Sequence, residues 1–86
     1  MLEGSTMHAA QTIIDHEGFG PHLTSMLHEV FAEVWATCPS KTESAARSIA
    51  ASLCAMARAG QHSRQRLRAY AHSTAIRLGE RAIASA

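Results

Sequence analysis

The sequence has few of the residues that build a large core. Only four aromatic side chains are present, namely Phe19, Phe31, Trp35 and Tyr70, and much of the 47% hydrophobic fraction is alanine. Burial of one large apolar side chain contributes about 1.5–3 kcal/mol, so a core of roughly a dozen such groups leaves a monomer marginally stable. A second copy of the chain would relieve this shortage, and we therefore expect a homodimer.

Long apolar runs are also missing. No run reaches the roughly 18 residues that a membrane span needs, and Glu3 occupies the region where a secretory signal would be basic. We therefore expect a cytoplasmic protein that does not contact a membrane. A chain of 86 residues supplies one core, so residues 1–86 are predicted to form a single helical domain, with 1–6 as a disordered leader before Met7.

Cysteine is scarce, and the two cysteines do not favour a disulfide. Pro39 directly follows Cys38 and ends one predicted helix, whereas Cys54 lies about 14 residues along the next, at about 1.5 Å per residue. This separation exceeds the reach of a disulfide bond. We interpret Cys38 and Cys54 as small apolar core residues in a reducing compartment.

What the sequence does have is helical periodicity, with apolar residues recurring at spacings of three and four. Breaks in this pattern divide the chain into four segments, and the short connections between them favour antiparallel neighbours. The sequence therefore predicts an all-α fold, a three- or four-helix antiparallel bundle, in which the third helix packs back along the second. The predicted helices are 5–17, 21–37, 42–59 and 63–83.

Residues typical of helix ends mark the boundaries of these segments. Gly18 suits the left-handed position after the first helix. Ser40 and Glu43 have the spacing of a capping box, which predicts the start of the third helix. Gly60 predicts its end, and Ser63 is the expected N-cap of the fourth helix.

The helical pattern also predicts which side chains form the core and which face outward. Ile76 and Ile83 lie one heptad apart on the side of the fourth helix that is otherwise polar, so we expect them, together with Trp35, to contact a second subunit. The expected core positions are Leu23, Leu27, Val30, Phe31, Val34, Trp35 and Cys38 in the second helix, Ala46, Ile49, Ala50, Leu53, Met56 and Ala57 in the third, and Leu67, Ala71, Thr74 and Leu78, flanked by Tyr70, Ala75 and Ala82, in the fourth.

Charge is segregated along the chain. Residues 1–43 hold six acids and only Lys41, whereas residues 44–86 hold seven arginines and only Glu80. One interpretation is that the two halves face each other and form salt bridges at the rim of the bundle. The alternative is that arginines of the fourth helix contact phosphate groups or a protein partner. These candidate contact residues are Arg64, Arg66, Arg68, Arg77 and Arg81.

Signals for catalysis or metal binding are lacking. The six histidines include no pair at the i, i+4 spacing that presents two imidazoles to one metal ion, and no nucleophile elbow or phosphate-binding glycine loop is present. We therefore predict that the chain is not an enzyme and holds no metal or cofactor. The histidines are His8, His16, His22, His28, His62 and His72.

Three short motifs between residues 19 and 71 support a resemblance to other proteins: Phe19-Gly20-Pro21, Phe31-Ala32-Glu33-Val34-Trp35, and Arg47-Ser48-Ile49-Ala50 continuing through Met56-Ala57-Arg58-Ala59-Gly60 to Arg66-Leu67. In these motifs the chain resembles a group of short, uncharacterised helical proteins of alphaproteobacteria, rhizobia in particular. The resemblance implies a helical fold and brings no established activity, cofactor or catalytic residue. Relatives often have an acidic, Asp-containing turn after the glycine, where this chain has Gln61-His62-Ser63.

These observations together predict a small helical protein-protein interaction or regulatory module that forms a homodimer. The alternative is a nucleic-acid-binding accessory protein that uses the arginines of the fourth helix, which with the third helix and its glycine turn would imitate a helix-turn-helix. The sequence pI of about 7.9 is below that of a typical basic nucleic-acid-binding domain, so the interaction module is the preferred prediction.

Overall fold

Capped helices joined by short connections form the chain. A computed structural model describes residues 2–38 and 41–85, with side chains described for 8–38 and 41–79. Within these ranges there are four helices and no strand, which confirms the all-α prediction. The first helix begins ahead of its predicted start and takes in residues 2–6. The helices are α1 (Leu2–His16), α2 (Pro21–Ala36), α3 (Glu43–Arg58) and α4 (Arg64–Ser85).

Three of the predicted helix boundaries are confirmed by backbone geometry. Gly18 has a φ of 69° after α1, and Gly60 has a φ of 94° after α3. At the end of α3 the amide of Gly60 donates to the carbonyl of Ala57 at 3.0 Å, and the amide of Gln61 donates to that of Met56 at 3.0 Å. These two bonds form a Schellman motif. Before α4, Ser63 Oγ accepts from the amide of Arg66 at 3.4 Å, as expected of an N-cap.

The predicted cap of α3 is wrong by two residues. Thr42 is the N-cap, and its Oγ1 accepts a hydrogen bond from the amide of Ala45 at 3.1 Å. Glu43 is therefore the first helical residue instead of the third, so its carboxylate cannot close a capping box. Instead it lies 3.7 Å from Arg47, one turn further along. Ser40, on which the prediction relied, lies outside the described residues.

The core follows the predicted faces closely. Most expected positions of the three later helices are buried, and Leu23, Met56 and Leu78 pack partly buried at its edge. The helical pattern did not predict that Ala45 is buried. Cys54 was predicted to be a core residue from the argument against a disulfide, and not from its position in the helical pattern. The structure buries Ala10 and Ile14 of α1, Leu27, Val30, Phe31, Val34 and Cys38 around α2, Ala45, Ala46, Ile49, Ala50, Leu53, Cys54 and Ala57 of α3, and Leu67, Ala71 and Ala75 of α4.

Helices that are neighbours in sequence are not always the closest in space. The most extensive contacts join α1 to α3, α3 to α4, and α2 to α4, whereas α2 and α3 contact each other less. α3 contacts α2, as predicted, but its contacts with α1 and α4 are more extensive. The radius of gyration of 12.2 Å matches the value of about 12 Å expected for a domain of this length.

Candidate interaction surface on the fourth helix

One arginine joins α4 to α2. The Nη1 atom of Arg64 lies 2.8 Å from Glu29 Oε1, and its Nη2 atom lies 2.7 Å from Glu33 Oε2. Arg68, one turn further along α4, reaches Glu33 at 3.9 Å. Glu33 is one turn beyond Glu29 on α2, so the two helices run in the same direction here. Hydrogen bonds to Glu29, and then to Glu33, raise the pKa of Arg64 above its ordinary value.

The remaining ion pairs complete a charge pattern. Arg58 Nε at the end of α3 lies 3.2 Å from Glu17 Oε1, just after α1. Five of the six ion pairs in the described part of the chain join an acid of residues 1–43 to an arginine of residues 44–86, and four of these five connect segments far apart in sequence, which confirms that the two halves face each other. Every described carboxylate has a cationic or imidazole partner. The other two pairs are Asp15 with His28 at 2.8 Å and Glu43 with Arg47 at 3.7 Å.

Two arginines of α4 are left out of this pattern. Arg66 and Arg77 are exposed and form no ion pair with any described residue. At 3.6 residues per turn, Arg66, Tyr70 and Arg77 fall on one side of α4, about 160° from Arg64. Tyr70 is 39% exposed and lies between the two guanidinium groups, which are separated by about 16 Å along the helix axis. We call these three residues the arginine–tyrosine edge.

A second edge of α4 is apolar. Ile76 is 44% exposed, and Ala69, one heptad before it, is also exposed. This edge lies about 100° around the helix from the arginine–tyrosine edge. Ile83 follows Ile76 by another heptad, and Arg81 follows Arg77 by four residues; both belong to α4, but their side chains lie outside the described residues.

Trp35 lies elsewhere. Its ring stacks on Phe31 with centroids 5.6 Å apart and an interplanar angle of 16°. Lys41 Nζ lies 5.7 Å from the Trp35 ring centroid and donates to the Trp35 carbonyl at 2.8 Å. His28 lies one heptad before Trp35 on the same side of α2, and its contact with Asp15 turns this side toward α1. The structure therefore does not bring Trp35 together with Ile76.

The buried thiol of Cys54 has a raised pKa. Its side chain is 1% exposed. Burial, with a smaller contribution from the nearby Glu17 carboxylate, raises the pKa of the Cys54 thiol to about 11, against an opposing effect of Arg58. A thiol of this kind is a poor nucleophile at neutral pH. Cys38 is also buried, so both cysteines are core residues as predicted.

The contact of Arg64 with Glu29 and Glu33, which we call the arginine clamp, was not predicted, although the sequence contained an indication of it. Glu29 and Glu33 are four residues apart on the polar face of the second predicted helix, and charge segregation required some basic partner for them. Periodicity alone could not select Arg64 over the other arginines. That choice depends on the direction in which α4 runs past α2, which only the structure shows.

In the described part of the chain, neither metal binding nor a membrane span adds a candidate site. Among residues with described side chains, no group of three or more histidine, cysteine or carboxylate side chains is arranged to hold a metal ion. In the same part of the chain, no helix combines the length and the hydropathy required to span a bilayer. Comparison with protein-family models, curated proteins and solved structures finds no significant match.

Proposed function

We propose that this chain is a small helical interaction module that forms a homodimer through the apolar edge of α4. The observation that carries the proposal is Ile76, which is 44% exposed in the middle of the longest helix. An isoleucine left in water forfeits stabilisation that a partner surface would recover. Ala69 one heptad earlier is small enough to let a second helix backbone approach closely.

The composition of the core supports self-association. Of the buried hydrophobic residues, seven are alanine and two are cysteine, and such small side chains bury little area. Within the described residues eight larger side chains are buried, and the other large apolar side chains packed against the core, such as Leu23 and Met56, are only partly buried. A dimer that covers Ile76, and with it the position of Ile83, would add apolar burial that the monomer lacks. The larger buried side chains are Ile14, Leu27, Val30, Phe31, Val34, Ile49, Leu53 and Leu67.

Sedimentation equilibrium of the full chain tests this proposal. We expect a mass that rises with concentration toward twice the 9.2 kDa of the monomer, and Ile76→Glu should shift the curve toward monomer. Ala55→Glu is the matched control, because Ala55 is an exposed position of α3 away from this edge, and it should leave the dimer intact. A monomer mass at every concentration would reject the dimer.

Trp35 stays a separate prediction as a partner contact, because it lies on the α1 side of α2. The cytoplasmic location expected from the sequence belongs to the same proposal. The buried cysteines support it, because they serve as packing residues and fit a reducing compartment. A cytoplasmic module would have cytoplasmic partners.

Nucleic-acid binding is the second candidate function. Arg66 and Arg77 favour it, since both are exposed and unpaired among the described residues, with Tyr70 between them. Against it, Arg64 and Arg68 are already paired with carboxylates of α2, which leaves few cations for phosphate. A titration of labelled duplex DNA at two salt concentrations decides the question. No binding at low salt removes this candidate, and a steep salt slope that Arg66→Gln with Arg77→Gln abolishes would support it.

A further inference from the structure

We propose that the arginine–tyrosine edge of α4 binds an acidic amphipathic helix of another protein. This inference goes beyond the homodimer, because the edge lies about 100° around α4 from Ile76, so the two surfaces can be occupied at once. The residues that would carry it are Arg66, Tyr70 and Arg77.

The charge distribution of the described residues indicates an anionic partner. The five described carboxylates, of Asp15, Glu17, Glu29, Glu33 and Glu43, are all within 4 Å of a cation or imidazole. Among the described residues, Arg66, Arg77 and Lys41 have no carboxylate within 4 Å, and the two arginines lie on one side of α4. Arginine and tyrosine are also among the residues enriched where protein interfaces concentrate their binding energy.

A second copy of this chain is a poor occupant of the edge. Its described carboxylates are engaged in the same internal pairs, and drawing one away would leave Arg64 or Arg58 without its partner. An occupant that brings its own carboxylates can pair with the edge without breaking these internal pairs.

The spacing of the edge favours a protein helix over nucleic acid. A partner helix lying alongside α4 would place carboxylates eleven residues apart opposite Arg66 and Arg77, at the same separation of about 16 Å. Each guanidinium can then donate two hydrogen bonds to one carboxylate, and Tyr70 between them offers a ring face to an apolar residue. Duplex DNA carries one charge per about 1.7 Å, and proteins that bind it through phosphates typically neutralise more than two.

The probe for this proposal is a fluorescein-labelled helical peptide with glutamates eleven residues apart and leucines between them. Its matched partner has glutamine at both glutamate positions. Fluorescence anisotropy with the full chain at low and high NaCl should show binding of the glutamate peptide that weakens with salt. The glutamine peptide should bind more weakly.

Variants of the chain locate the binding surface. Arg66→Gln and Arg77→Gln should each lower the affinity for the glutamate peptide by roughly two- to fivefold, as expected for the loss of an exposed ion pair. Tyr70→Ala should weaken the binding of both peptides. Tyr70→Phe keeps the aromatic ring and should bind both peptides like the unaltered chain. Arg47→Gln, which removes an exposed arginine of α3, is the control that should change nothing. Circular dichroism confirms that each variant keeps its helix content.

Three results would overturn the proposal. The glutamate and glutamine peptides could bind equally, the Arg66 and Arg77 variants could bind the glutamate peptide like the unaltered chain, or a labelled oligonucleotide could bind more tightly than the peptide through the same two arginines. Ile76→Glu separates this test from that of the homodimer. It should still bind the glutamate peptide, so failure of the dimer leaves this inference standing and failure of peptide binding leaves the dimer standing.

Discussion

Arg64 Nη2 lies 2.7 Å from Glu33 Oε2, and this contact joins α4 to α2 through two residues that are 31 positions apart in sequence. The same guanidinium holds Glu29 at 2.8 Å, one turn earlier on α2. Two carboxylates on successive turns are thus bridged by a single planar fork, a geometry that arginine provides and lysine does not. This contact fixes how far α4 is displaced along α2.

The first prediction concerns this clamp. Arg64→Gln should lower the melting temperature by a few degrees, because it leaves Glu29 and Glu33 adjacent on α2 without their shared cation. Arg64→Lys should recover only part of the loss. Arg66→Gln should leave the melting temperature unchanged, since Arg66 has no ion pair in the described structure. Thermal unfolding followed by circular dichroism measures all three, and the Arg64 effect should shrink as NaCl is raised. Equal melting temperatures for the two glutamine variants would contradict the clamp.

The second prediction concerns the start of α3. Thr42→Ala removes the Oγ1 acceptor of the Ala45 amide and should lower the free energy of unfolding by about 1 kcal/mol. Thr42→Ser keeps the acceptor and should behave like the unaltered chain. Ser40→Ala should have little effect, because Thr42 already occupies the N-cap position. Urea unfolding compares them, and a larger loss from Ser40→Ala than from Thr42→Ala would restore the cap predicted from the sequence.

The third prediction concerns Gly60. A Cβ at this position would meet no atom within 4 Å, so a substitution here tests the backbone conformation alone. Gly60→Ala should cost about 1–2 kcal/mol, because a φ of 94° is unfavourable for residues with a side chain. Gly60→Asn should cost less, since asparagine tolerates this region better. Equal losses for both variants in urea unfolding would indicate a contact instead of a conformational preference.

The fourth prediction concerns pH. The folded state raises the pKa of the Cys54 thiol to about 11, whereas an unfolded cysteine titrates near pH 8.5–9. The stabilisation is complete below the unfolded pKa and is lost as pH rises through the interval between the two values. Raising the pH from 8 to 10.5 should therefore cost the unaltered chain about 2 kcal/mol more than Cys54→Ala. Urea unfolding at both pH values measures this difference, and parallel losses in the two proteins would contradict it.

Much of the fold was predictable because the helix-stop signals are local. Gly18, Gly60 and Ser63 act through their own backbone or a neighbouring amide, so their roles follow from the sequence alone. The cap of α3 was misplaced because Ser40 and Thr42 both offer a hydroxyl, and the choice between them depends on where the first turn forms. The greater extent of the α3 contacts with α1 than with α2 was not predictable either, because it depends on how the helices pack in three dimensions.

The candidate surface was only partly predictable. The sequence named all the arginines of α4 together, and helical spacing already placed them in several directions. The sequence could not show that Arg64 and Arg68 form ion pairs with Glu29 and Glu33, whereas Arg66 and Arg77 form none with the described residues. That division depends on the position of α2 beside α4, which is a tertiary relationship. Ile76 was identified correctly as an outward-facing residue from its heptad position.

Trp35 gives this chain a built-in spectroscopic probe. It is the single tryptophan, its indole stacks on the buried ring of Phe31, and Lys41 from the α2–α3 connection lies over it. Its emission should therefore shift to longer wavelength when the core around α2 opens. Fluorescence of the unlabelled protein can thus follow unfolding in the variants above, while the labelled peptide reports independently on α4.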